Sequence, residues 1–361
     1  MRYKLLGRSG LRISELCLGG MTFGDESSEG WGASKEESRR IFDAFVEAGG
    51  NVIDTANNYT GGNSERCVGE LVAGDRDRFV IATKYTAPTR PGDPNSGGNH
   101  RKALVQSLDG SLKRLGTDYI DLYWVHVWEY LTPLEEVMRA LDDMVRAGKI
   151  LYIGISDAPA WVVSRANTLA DLRGWTPFAG LQIEYSLIQR TVERELVPMA
   201  EALDLAVLAW GPLGRGVLTG KYSADGSTGD RGARLSAGDP RLSERNLKIS
   251  VVVGDVAAEL DAKPAEVAIA WLRSLPGVVI PIIGARTATQ LEETLGCLEL
   301  KLPDDALRRL DLASRVSLGF PHDFLAGVLG RRAAINGLPD DHRSALPAHI
   351  QKLSSASRAH A

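Results

Sequence analysis

A carboxylate, a phenol, an ammonium and an imidazole follow one another along this chain as Asp54, Tyr59, Lys84 and His126. Lys84 closes the strongly apolar run FVIAT, where hydration of its ammonium is restricted and a carboxylate partner is wanted. Asp54, which ends the apolar run NVID, can supply one. A cation held there favours the ionised form of a nearby phenol, and Tyr59 lies just beyond Asp54. A tyrosine of lowered pKa can give up its proton at neutral pH, which an ordinary phenol of pKa about 10 does slowly. His126 can hydrogen-bond a substrate oxygen and share its developing charge. Taken singly, each has a plain explanation as a cap, a solvated charge or a satisfied polar group. Ser156, Gln182 and Trp210 lie at or near the ends of later β-rich runs, with Gly284 and Arg286 after the last. Their coincidence at successive run ends argues for one site.

Residues at the ends of consecutive strands meet only if the strands are parallel and open on one mouth. The sequence carries that alternation: eight β-rich runs separated by amphipathic segments of helical length. The runs are ELCLG from Glu15, NVID from Asn51, FVIATK from Phe79, YIDLYWVH from Tyr119, ILYIGIS from Ile150, LQIEY from Leu181, LAVLAW from Leu205 and VVIPII from Val278. Ser34 with Glu37 and Thr132 with Glu135 predict capping boxes, the second with Pro133 as first helical residue, and Gly148 predicts a stop. No linker divides the chain, so the reading is an α/β (β/α)8 TIM barrel, with a doubly wound sheet as the alternative. Pro281 counts against a regular eighth strand. An N-terminal hairpin turning at Arg8 to Gly10 is expected to cover the barrel bottom, and the Gly/Ser/Asp-rich stretch from Tyr222 to be a loop on the catalytic face. The barrel is assigned to residues 1–318, and 319–361 to a C-terminal extension with extra helical segments and a disordered tail, KLSSASRAHA.

Net charge of -4 gives no general attraction to polyanions, so neither nucleic acid nor an anionic membrane is an expected partner. Lys4, Arg8, Arg12 and Glu15 interrupt the N-terminus too often for a signal or spanning segment, and a cytoplasmic protein is expected. Cys17, Cys67 and Cys297 lie far apart, which predicts buried thiols rather than a disulfide or a metal site.

The run NVIDTANNY, the TK of FVIATKY and DLYWVH ending at His126 resemble the Asp, Tyr, Lys and His tetrad of the aldo-keto reductase family. The resemblance spans about Tyr3 to Leu318 and continues through GISDAPAW, LQIEYSL, WGPLGRGVLTGKY and IPIIGARTATQLEETL. VHVWE and SDAPAW look most like the bacterial group related to aryl-alcohol dehydrogenases. The resemblance implies an NADPH-dependent reduction of aldehydes or ketones with Tyr59 as general acid, and it implies the cofactor contacts. Gly20 and Met21 would lie against the nicotinamide side, and Asp54 near it. Ser156, Asp157 and Gln182 would hydrogen-bond the carboxamide, and Tyr185 would stack on the ring. Trp210, Gly211, Pro212, Leu213, Gly214 and Gly216 would follow the pyrophosphate. Lys221, Gly284, Arg286, Gln290, Glu293 and Thr294 would surround the adenosine end, Arg286 gripping a 2′-phosphate.

Asp157 and Thr294 stand where many relatives carry Asn; Asp157 is alternatively a cap for the helix opened by Pro159, and Thr294 a surface helical residue. Trp31, Trp128 and Trp161 are candidates to line a substrate pocket. Two other readings compete: a Schiff-base lyase using Lys84, and a regulatory subunit that binds NADPH and turns over slowly.

Overall fold

The structure is a computed structural model that describes residues 1–24, 32–222, 234–236 and 238–326. Eight parallel strands close into a barrel: β3 (Cys17–Gly19), β4 (Val52–Asp54), β5 (Val80–Tyr85), β6 (Ile120–Val125), β7 (Ile150–Ser156), β8 (Phe178–Glu184), β9 (Ala206–Trp210) and β10 (Val279–Ile283), with β10 returning to β3. All eight expected strands form, and the open-sheet alternative is excluded. Around them run α1 (Lys35–Glu47), α2 (Asn63–Val72), α3 (Arg101–Leu115), α4 (Leu134–Arg146), α5 (Ala160–Arg173), α6 (Leu196–Ala202), α7 (Glu244–Glu259), α8 (Pro264–Ser274) and α9 (Ala288–Leu295). Beyond them, α10 (Asp304–Ser314) packs on α7, and α11 (His322–Ala326) follows. None of the described helices is long and apolar enough to cross a membrane.

Side chains alternate across each strand, so one parity fills the barrel and the other meets the helices. Val52, Val80, Ala82, Leu122, Trp124, Ala206, Leu208, Ile280 and Ile282 share the interior cluster. Trp124 is fully buried there. A methyl group on Gly154 would overlap its ring, and one on Gly180 would stand 2.9 Å from it, so β7 and β8 give up side chains where β6 places an indole.

Pro281 is accommodated inside β10. Val279, Ile280 and Pro281 pair with β9, and only Ile282 and Ile283 pair with β3, so the residue lacking an N–H falls where the strand changes neighbour.

The floor is closed by the antiparallel hairpin of β1 (Tyr3–Leu5) and β2 (Arg12–Ser14), as expected. Its turn begins at Gly7, whose φ of +53° a side chain rarely adopts, and a Cβ there would meet the carbonyls of Ala179 and Asp204 at 2.5 and 2.6 Å. Lys4 Nζ donates to the Val279 carbonyl at 3.1 Å. Beneath the barrel, Glu15 accepts from Arg2 Nη2 at 2.8 Å and from Arg273 Nη2 at 2.9 Å, while Arg273 also donates to the Cys297 carbonyl. Burial opposes the Glu15 charge, but the two guanidinium groups outweigh it and hold its pKa at about 2.

The caps depart from expectation in their details. Ser34 Oγ accepts from Glu37 N at 3.2 Å, yet the Glu37 carboxylate turns away to cap Ala288 N at 2.6 Å, joining α1 to the start of α9. The Thr132 box does not form, because the Thr132 hydroxyl and amide both go to Glu129, and α4 starts after Pro133 without a side-chain cap. Gly148 takes φ +73° just beyond α4, as its stop requires. Cys17, Cys67 and Cys297 are buried free thiols. Of the expected extension only 319–326 is described, and it contains α11; the KLSSASRAHA tail, Trp31 and most of the loop after Tyr222 lie outside the described residues.

Candidate active site

Asp54, Lys84, Ser156, Gln182 and Trp210 end or nearly end their strands at the inward parity set by Val52, Ala82, Gly154, Gly180 and Leu208. His126 follows β6 at the parity of Trp124. The shared register of a closed parallel barrel therefore brings these side chains to one mouth.

Lys84 is fully buried, and its ammonium uses three donors: to Asp54 Oδ2, to the Thr55 carbonyl at 2.8 Å and to Tyr59 Oη at 3.2 Å. Burial alone would lower its pKa; the Asp54 carboxylate and the Tyr59 oxygen reverse that and raise it, so the lysine stays charged. No lone pair is left for carbonyl attack, which removes the structural basis of a Schiff-base reading. Gln182 Nε2 donates to the other Asp54 oxygen at 2.9 Å, so both carboxylate oxygens are committed.

Because Lys84 donates to the Tyr59 oxygen, the phenol's own proton is free to point elsewhere. Tyr59 is half-buried, and the His126 ring meets it edge-on, with centroids 5.9 Å apart and planes at 79°. Burial, and then the Lys84 charge, push the His126 pKa down to about 3. A neutral imidazole, with one N–H to donate, is the form present at physiological pH.

Sequence reasoning overlooked how Tyr59 is held. Thr60 takes φ +46°, a conformation disfavoured for a β-branched residue, and its hydroxyl lies 3.0 Å from the Phe23 carbonyl while accepting from Ser64 N at 2.9 Å. Ser64 Oγ in turn donates to the Gly20 carbonyl at 2.7 Å and pairs with Thr55 Oγ1 at 2.6 Å. The loop bearing Tyr59 is thereby stitched to the loop bearing Gly20 and Met21. Gly20 N donates to the Asp54 carbonyl at 2.8 Å, and Met21 is an exposed thioether beside it.

Tyr185 cannot stack on a ligand in the mouth. It lies three residues beyond inward-facing Gln182 and therefore faces the helices; its ring is buried edge-on against Trp271 at 5.8 Å, and its hydroxyl donates to Glu193 at 2.7 Å. The aromatic at the mouth is Trp210, which has the inward parity. Its Nε1 donates to Asp157 Oδ1 at 3.1 Å, so Asp157 aligns an indole instead of capping α5, whose N-cap is Pro159 without a side-chain bond. Asp157 takes φ +44°. Although Asp157 as a whole is exposed, desolvation of its carboxyl raises the pKa, against the opposing pull of Trp210, Ser156 and Lys84. Ser156 Oγ influences that carboxyl without reaching hydrogen-bond geometry and is buried with no partner. A hollow of about 260 Å³ lined by Asp157, Ile183, Glu184 and Trp210 adjoins them.

After β9, Pro212 is buried and Leu213 half-buried, while Gly214, Arg215 and Gly216 take φ of +55°, +54° and +96° in succession. A Cβ on Gly216 would crowd Lys221, and Lys221 Nζ lies 5.8 Å over the Tyr222 ring. Gly211, also at positive φ, opens this turn. Burial lowers the Arg234 pKa, and the charges of Arg286 and Arg215 lower it further, which identifies three guanidinium groups sharing one region. Gly284 is exposed after β10, and Arg286 N donates to Gln290 Oε1 at 3.0 Å at the start of α9. Glu293 is exposed and sits 3.9 Å from Lys263. Thr294 is neither a surface residue nor an available donor: it is buried, and its hydroxyl donates to the Gln290 carbonyl at 2.9 Å within its own helix. Trp128 is half-buried against Tyr130 at 6.5 Å, and Trp161 is largely exposed on the first turn of α5.

Comparison with known proteins agrees with this geometry. A profile of the Aldo/keto reductase family matches residues 15–315. The chain is similar to norsolorinic acid reductase stcV of Emericella nidulans, 40% identical over 88% of this chain and 82% of that protein. It is similar to aryl-alcohol dehydrogenase GME11368 of Pestalotiopsis microspora, 38% identical over 90% of this chain and 85% of that protein. Norsolorinic acid reductase of Aspergillus flavus is 38% identical over 89% and 83%. These relatives are fungal, so the expected bacterial affiliation finds no support in them.

Proposed function

The chain belongs to the aldo/keto reductase family and is an oxidoreductase; on that premise we propose that it uses NADPH to reduce aldehydes or ketones to alcohols, with Tyr59 as general acid. Relatives named for aryl alcohols and for norsolorinic acid favour aromatic carbonyls as the substrate class. Three free, buried thiols accord with a reducing, cytoplasmic setting.

The observation that carries the proposal is the three-way grip of Lys84 on Asp54, Thr55 and Tyr59. The reduced nicotinamide, when bound, supplies the hydride. Tyr59 gives its phenolic proton to the carbonyl oxygen, and the phenolate that results is met by an ammonium already in hydrogen-bond contact. Asp54 balances that ammonium, and Gln182 holds Asp54. Neutral His126 donates its N–H to the same oxygen without competing as an acid. Tyr59→Phe should lower kcat for an aromatic aldehyde by about 10²–10⁴-fold, the range of a general acid, with NADPH affinity unchanged. Near-normal turnover would take Tyr59 out of the mechanism.

The residues present fit a nicotinamide nucleotide. Ser156 offers a buried hydroxyl in need of a partner, Trp210 an aligned indole, and Gly214 to Gly216 a turn that lets backbone approach a phosphate. Arg215, Arg234 and Arg286 concentrate positive charge where a 2′-phosphate would be welcome. Charged hydrogen bonds of about 1.5–3 kcal/mol correspond to roughly ten- to a hundredfold in affinity. Arg286→Ala should therefore weaken NADPH by about that factor and NADH little, as read by competitive titration; equal losses would assign phosphate recognition elsewhere.

A further inference from the structure

We propose that Thr86 and Asn99 are positioning residues that aim the His126 imidazole at the substrate oxygen, an inference that rests on the carbonyl-reductase reading above. Among the described residues no side-chain hydrogen bond orients the His126 ring. What fixes this residue is its main chain. His126 N donates to Thr86 Oγ1 at 3.3 Å, and that hydroxyl donates to Asn99 Oδ1 at 2.7 Å. Asn99 Nδ2 then donates to the Val127 carbonyl at 3.0 Å, while its backbone N–H donates to Glu129 Oε1 at 3.1 Å. The dipeptide His126–Val127 is thus held at both ends by a bracket from the loop after β5.

The bracket is buried and strained. Asn99 is fully buried and Thr86 nearly so. Thr86 takes φ +94°, a backbone conformation that a β-branched residue keeps only when its surroundings over-determine it. Its carbonyl accepts from Gly98 N at 2.8 Å, closing the loop on itself. A glycine would make that turn without strain; the hydroxyl is what a threonine adds, and the hydroxyl is what meets His126. Thr86 lies two residues beyond Lys84, and Tyr85 pairs in register with Val125. The bracket therefore sets the imidazole against the strand that carries the ammonium, so that proton donor and hydrogen-bond donor converge on one oxygen.

A donor that must lie along a carbonyl lone pair tolerates little displacement, and about 1 Å of misplacement can cost about a hundredfold in rate. Thr86→Val keeps the shape, removes the hydroxyl and leaves both His126 N and Asn99 Oδ1 without a partner. It should lower kcat for NADPH-dependent reduction of 4-nitrobenzaldehyde about tenfold or more, with NADPH affinity unchanged. Thr86→Ser should restore most of the rate.

The deciding measurement is a double-mutant cycle with His126→Ala. If Thr86 acts through His126, Thr86→Val should cost less than about twofold in the His126→Ala background, because nothing remains to be aimed. An equal loss in both backgrounds, or a wild-type rate for Thr86→Val itself, overturns the proposal. Should Thr86→Val fail to give a native circular-dichroism spectrum, the same cycle with Asn99→Ala decides, on the same criteria. A His126→Ala enzyme with normal kcat would instead remove the proposed catalytic role of His126, an outcome distinct from failure of the bracket alone.

Discussion

The barrel holds a buried carboxylate–cation cluster at each end, and the two are finished differently. At the floor, Glu15 lies between Arg2 and Arg273, and Arg273 directs further donors to the carbonyls of Cys297 and Leu298. At the mouth, Asp54 and Lys84 are paired as tightly, but the third ammonium contact is a half-buried phenol oxygen, and a neutral imidazole stands beside it. Buried ion pairs contribute little net stability compared with apolar packing, although removing one partner is costly. Both ends therefore carry the same liability. The mouth leaves hydrogen-bonding capacity over at a phenol and a neutral imidazole, and that unfinished edge is where chemistry is proposed.

The strongest way to break the contrast is to disable each cluster and compare what is lost. Lys84→Met should lower kcat by about 10³-fold, within the range for disabling a general acid, and Asp54→Asn should depress it as well. Because the two act as a unit, the double variant should lose far less than the product of the single losses, and multiplying losses in steady-state kinetics would dissolve the pairing.

Glu15→Gln should do the converse. Leaving the buried Arg273 guanidinium without its carboxylate should destabilise the fold by about 3 kcal/mol, read as a lowered urea midpoint, while kcat per folded molecule stays at the wild-type value. A loss of kcat without a loss of stability would mean that the floor communicates with the mouth.

Acid should separate the two ends by smaller effects. His126 is held neutral to about 3, whereas the unfolded chain binds that proton below about 6.5, so its contribution is full above 6.5 and declines as pH falls toward 3. Glu15 is held ionised to about 2, so its contribution is full above roughly 4.5 and declines as pH falls toward 2. Urea midpoints of the wild type and Glu15→Gln should therefore converge only below pH 4.5. Convergence already at pH 6 would assign the acid sensitivity of the floor to another group.

Strand number, strand order and the meeting of Asp54, Tyr59, Lys84 and His126 at one mouth were legible because they rest on local signals: apolar runs, their polar ends and the spacing between them. Trp210 and Tyr185 show where that reading went astray. Both are aromatic residues at run ends, and the resemblance made Tyr185 the stacking ring; counting parity from Gln182 turns it toward the helices and leaves Trp210 at the mouth. Thr132 carried a sound capping pattern, but Glu129, three residues earlier, competes for its hydroxyl. Thr86 and Asn99 gave no signal, since a strained φ and a bond across two loops exist only once the chain has closed.

The thin joins of β3 set how this ring would come undone. Five residue pairs hold β6 to β7, while two hold β3 to each of its neighbours, β10 and β4. Sub-global opening follows the weakest contacts, so the circle should part first at a margin of β3. At the margin with β10, Gly20 and Met21 stand on one lip, and Gly284 and Arg286 on the other. A nucleotide gripped by both lips would act as a suture across one margin of β3, and its release would hand the barrel back that seam.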